Sequence, residues 1–145
     1  MPTCFSKPHL EIDTSYLYVI RDLMEKLKIY MKCQGIHMSK LSDFLDSKQS
    51  PQDETNPEQT RISHTHLENT IIKVASLGKN IMDIRQSLLY IIDICHDHED
   101  FKSFNNFLIV NSQKGIIEYL DKIAKEQVDL IKHLRDITMY IHDNI

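Results

Sequence analysis

The densest set of metal-capable side chains is His96-Asp97-His98-Glu99-Asp100, in a chain that carries eight histidines. Imidazole nitrogens and carboxylate oxygens are ordinary zinc ligands. Residues two apart on a helix point to nearly opposite sides, so His96 and His98 can chelate together only where a helix has already ended. The same geometry governs His64 and His66. No cysteine pair or HExxH sequence accompanies either cluster, and a protonated histidine near a helix C-terminus is favoured by the helix dipole with no metal at all. The expectation is no metal and no cofactor, with His96 and His98 as the pair to inspect.

Arg135 and His142 are seven residues apart, which on a helix puts them on one face two turns apart. Their spacing resembles the R-x4–6-H element of the HEPN superfamily, all-helical domains that include dimeric, metal-independent ribonucleases, and that resemblance implies RNA cleavage by the pair. Asp136 matches the polar residue that often follows the arginine, and Arg61 with His66 matches the same spacing. The resemblance covers those residues alone, and the pattern offers no helix after His142 to enclose a site. For nucleophilic chemistry, Cys33 and Cys95 fall on or near apolar helical seams, where a thiol behaves as a small apolar group. No triad assembles around them. Gly35, Gly78 and Gly115 are too widely separated to build a phosphate-cradling loop. Arg21, Lys28 and Lys32 share a helical face, but Glu25 sits among them, as on an ordinary solvated flank. The residues favour a chain that is not an enzyme.

What must position these groups is a set of helices. Apolar residues recur at alternating steps of three and four through Tyr16, Ile20, Leu23, Leu27 and Tyr30. They do so again through Leu77, Ile81, Ile84, Leu88, Ile91 and Cys95, and through Ile116, Leu120, Ile123, Gln127, Leu130, Leu134, Ile137 and Ile141. That spacing is the seam of helices packed nearly parallel or antiparallel. The first helix is expected from the Asp13-Thr14-Ser15 capping cluster to a C-cap at Gly35, with a short helical piece over 39–46. The stretch 46–60, rich in Ser, Pro, Asn, Gln and acids, reads as a flexible polar loop. Thr65-His66-Leu67-Glu68 fits a capping box and predicts the start of a second helix running to about His96. Within it the spacing passes from 67, 71, 74 to 77, 81, 84, which predicts a disturbed phase or a bend at Gly78. Residues 101–110 suggest a short apolar helix and 113–143 a last long one.

The 145 residues suffice for one domain with a core. With 41% apolar and 26% charged residues, three glycines and four prolines, the composition is that of a helical protein. Net charge is −4, and Asp46, Asp53, Glu54 and Glu58 against Lys48 account for −3 of it, which leaves no electrostatic case for nucleic acid. The longest apolar run, near 88–95, is broken by Asp93 and is far shorter than the ~20 residues that span a bilayer. Residues 1–9 show no signal-peptide core. Three cysteines cannot all pair within the chain, and no N-x-S/T sequon occurs, so an intracellular setting, cytoplasmic or nuclear, is expected.

These readings combine into a single all-α domain: an elongated bundle of three long helices, about 16–34, 66–96 and 113–143, plus one or two short ones. The favoured function is a non-enzymatic interaction module, a structural or adaptor subunit that packs against other helical chains or itself. The candidate interface residues are Leu88, Leu89, Ile92, Gln127, Leu134 and Ile141. Gln127 is singled out because one polar residue on an apolar seam can set register or oligomeric state; the alternative is a partly exposed edge position. Ile117, Ala124, Val128 and Ile131 widen the apolar band of the last helix, which implies more than one neighbour. A secreted four-helix cytokine or viral helical effector is the alternative function, with a Cys4 disulfide to Cys33 or Cys95 as its mark; the HEPN-like ribonuclease is the other.

Overall fold

The computed structural model describes residues 3–48, 57–112 and 115–143, and the side chains of 16–46, 64–106 and 115–143. It is all-α, with no strand among the described residues. Among the described residues there are three long helices, α1 (Thr3–Lys48), α2 (Pro57–Cys95) and α4 (Ile116–Asp143), and one short one, α3 (Glu99–Ser112).

Three boundaries differ from expectation. Helix α1 begins at Thr3, so the Asp13-Thr14-Ser15 cluster is helix interior and not a cap. Helix α1 continues through Gly35 to Lys48, absorbing the short piece expected at 39–46. Glycine in a helix interior costs only about 1 kcal/mol relative to alanine. The buried spacing carries straight past it: Ile20, Leu27, Gln34 and Leu41 lie seven apart and are all buried. Helix α2 begins at Pro57, eight residues before Thr65, so the Thr65–Glu68 pair is helix interior and not a cap. Proline suits a first helical position, where its missing N–H has no partner to lose. Residues 57–60 of the expected loop are thus helical, and 49–56 lie outside the described residues.

The chain divides into two compact units, 1–28 with 82–126 and 29–81 with 127–145. In the first, Ile20, Leu27, Leu88, Ile92, Cys95, Phe101, Ile116, Leu120 and Ile123 are buried. The turn from α2 to α3 closes through His98 N–H to the Cys95 carbonyl at 3.0 Å, and His98 Nδ1 then accepts the Asp100 N–H at 3.2 Å. An imidazole thereby fills the N-cap role, and Glu99 and Asp100 complement the helix dipole. Helix α4 starts behind Gly115, which has no side chain to cap with. Asn105 of α3 does so instead, its Oδ1 accepting the Ile116 N–H at 2.9 Å. A Cβ at position 115 would stand 3.1 Å from that oxygen, so the close approach favours glycine there.

In the second unit, Leu41, Leu67, Val74, Leu134, Ile137 and Ile141 form one apolar cluster, flanked by Met38, Phe44, Leu45, Ile71 and Leu130. Helix α2 crosses Gly78 without interruption. Leu67, Val74, Ile81, Leu88 and Cys95 are buried at strict seven-residue intervals, so the phase expected to break there is kept. Gly78 itself, four residues after Val74, is buried and stands where the pattern calls for a side chain.

Candidate interaction surface

The vacancy beside Gly78 is filled by two amides. Gln34 of α1 and Gln127 of α4 are each 4% exposed and exchange reciprocal hydrogen bonds: Gln34 Nε2 donates to Gln127 Oε1 at 2.9 Å, and Gln127 Nε2 donates to Gln34 Oε1 at 2.8 Å. Gln34 Nε2 also reaches the Val74 carbonyl at 3.2 Å. A Cβ on residue 78 would lie 2.9 Å from Gln127 Oε1 and 3.2 Å from Gln34 Nε2. Gln127 is therefore not at an exposed edge; it belongs to an internal polar layer made possible by the glycine on α2. Sequence reasoning found Gln127 through its place on the seam and missed Gln34, which lies past the tyrosine where the first seam was ended.

Five of the six residues expected to carry an interface are buried inside the chain: Leu88, Ile92, Gln127, Leu134 and Ile141. Leu89 is half-buried. Buried side chains stabilise the chain's own packing and present little surface to a second molecule.

The apolar surface left in contact with solvent lies elsewhere. On α4, Ile117, Val128, Ile131 and Met139 are 43%, 50%, 52% and 58% exposed, and Ala124 is half-buried. At 3.6 residues per turn, positions 117, 121, 124, 128, 131, 135 and 139 form one stripe between the buried seam and the charged face of Glu118, Lys122, Lys125, Asp129, Lys132 and Asp136. Only Asp121 and Arg135 in that stripe are charged. The band was visible in the sequence, where it implied a second neighbour; in the structure Ile117, Val128 and Ile131 remain exposed. Exposed Tyr90 and Ile94, one turn apart on α2, are a smaller example.

Arg135 and His142 are both exposed on α4; His66 is exposed, and the Arg61 side chain lies outside the described residues. His96 Nδ1 lies 3.0 Å from the Asp93 carbonyl and its Nε2 3.2 Å from Asp97, whereas His98 is turned to the start of α3. Among the described residues no group of three or more His, Cys, Asp or Glu side chains is placed to hold a metal ion. Among the described residues neither Cys33 nor Cys95 takes part in a disulfide, and Cys95 is buried. An open groove of about 460 Å³ in the first unit is lined by Tyr18, Arg21, Asp22, Met24, Glu25, Lys28 and Phe104. It mixes both signs of charge and contains neither a histidine nor a thiol. Arg85, largely buried, donates through Nε to the Leu120 carbonyl at 2.9 Å and through Nη2 to Asp121 Oδ1 at 3.3 Å, a structural link between α2 and α4.

No described helix is long and apolar enough to cross a membrane. Comparison with known proteins finds no matching family model, no matching curated protein and no matching solved structure.

Proposed function

We propose that this chain is a non-enzymatic helical interaction module, a structural or adaptor subunit that receives another helix along the exposed apolar stripe of α4. The carrying observation is the amphipathic layout of that helix: one face is buried in the chain, one is charged, and between them Ile117, Val128, Ile131 and Met139 stand in solvent. Apolar side chains at helical spacing that the chain's own packing leaves uncovered are what a partner helix removes from water, at roughly 25 cal/mol for each Å² buried. An intracellular setting, cytoplasmic or nuclear, goes with this reading, supported by an odd number of cysteines.

The test is comparative affinity purification with tagged wild type, Ile131→Glu on the stripe, and Lys122→Glu on the charged face. The reading expects a defined associated chain, a second copy included, that Ile131→Glu loses and Lys122→Glu retains. Equal recovery by all three, with each variant folded by circular dichroism, would remove the stripe from the account.

A further inference from the structure

We infer that the helix received by this stripe is α4 of a second copy of the chain, running antiparallel and crossing at Val128; the inference rests on the interaction reading above and names its partner. The warrant is a self-complementary order of residues along one continuous helix. Ile117 and Met139 each lie eleven residues from Val128, and Asp121 and Arg135 each lie seven. When two antiparallel copies cross at residue 128, each residue before the crossing faces the one equally far after it. Val128 then meets Val128 of the second copy, Ile117 meets Met139, and Asp121 meets Arg135, all twice by the two-fold axis.

The only two charges of the stripe are thus opposite in sign and placed where symmetry brings them together. In a parallel pairing at the same level Asp121 would face Asp121 and Arg135 would face Arg135, so charge selects the antiparallel arrangement. The side chain of Asp121, though within 3.3 Å of Arg85, remains 66% exposed, and Arg135 is exposed. Half-buried Ala124, small and one turn from Val128, permits close approach of the backbones. Ile131 and Ala124, three after and four before the crossing, lie level with Lys125 and Lys132 of the second copy, whose aliphatic stems can cover them while the ammonium groups stay in water. From Ile117 to Met139 the stripe is about 33 Å long at 1.5 Å per residue.

The experiment is light scattering coupled to size exclusion over a concentration series on the untagged, reduced full chain, comparing wild type, Arg135→Glu, and Asp121→Lys/Arg135→Glu. The expected result is a wild-type dimer, a dissociation constant raised about tenfold or more by Arg135→Glu because two symmetric attractions become repulsions, and recovery in the double variant. Because Asp121→Lys also removes the contact with Arg85, a second measurement stands beside it. Val128→Cys in a Cys4→Ser/Cys33→Ser background should join two copies through a short bis-maleimide, and Lys122→Cys should do so much less. A wild-type monomer throughout the series overturns the second-copy proposal, while the interaction reading is then decided by the affinity comparison alone. A dimer indifferent to Arg135→Glu and unlinked through position 128 overturns the antiparallel arrangement.

Discussion

Gln34 and Gln127, 93 residues apart in sequence, satisfy one another inside the second unit through two amide hydrogen bonds of 2.9 and 2.8 Å. The pair ties α1 to α4 in one alignment, because sliding either helix by a turn would bury two amides without partners.

Replacing one of the pair should therefore harm more than replacing both. Gln34→Leu or Gln127→Leu alone leaves a buried amide unpaired and should cost about 1–3 kcal/mol, whereas Gln34→Leu/Gln127→Leu should recover most of that loss. Urea denaturation of the three variants checks the coupling; additive losses would show that the amides act independently.

Gly78→Ala should destabilise despite alanine's helix preference of about 1 kcal/mol, because its Cβ would stand 2.9 Å from Gln127 Oε1 and displace the amide pair. In a Gln34→Ala/Gln127→Ala background the obstruction is gone, and the same substitution should stabilise by about 0.5–1 kcal/mol. A double-mutant cycle read by thermal melting tests for that reversal of sign.

Asn105→Ala should lower stability by about 1 kcal/mol through loss of the acceptor for the Ile116 N–H. Asn105→Asp, which keeps the oxygen and adds charge at the helix N-terminus, should hold or exceed wild type. Chemical denaturation of both distinguishes a cap from simple packing, since packing alone would not separate them.

Burial, and secondarily the charge of Glu126, raise the Tyr119 phenol above its ordinary value of 10.0. A group whose pKa is higher when folded contributes stability that is intact below the unfolded pKa and lost as pH climbs from there through the folded value. Stability should thus fall above pH 10.0, and Tyr119→Phe should make the decline shallower. Melting temperatures of the two proteins across the alkaline range give the comparison.

An interaction module has no need of Arg135 and His142 as a catalytic pair. Purified chain should leave single-stranded RNA intact, with product formation by wild type equal to that of Arg135→Ala/His142→Ala. Cleavage by wild type that the double variant loses, with the fold retained, would restore the ribonuclease reading.

The helical class and the buried face of α4 were legible in the residues themselves. Hydrophobic spacing is a local property of a helix, and Ile116, Leu120, Ile123, Gln127, Leu134, Ile137 and Ile141 are all buried, as their spacing predicts. Punctuation residues were less informative. Gly35 and the Thr65–Glu68 pair carry local preferences of about 1 kcal/mol, too little to end or begin a helix whose seam continues past them. Which apolar residues would be covered could not be read locally. Leu88 and Ile131 are equally greasy in sequence, yet the first is fully buried and the second half in solvent, because burial depends on which helices lie alongside. The tertiary structure alone decided that Gly78 marks no break but makes room for Gln34 and Gln127. A polar layer is a property of three helices meeting at one level, and no single helix's periodicity contains it.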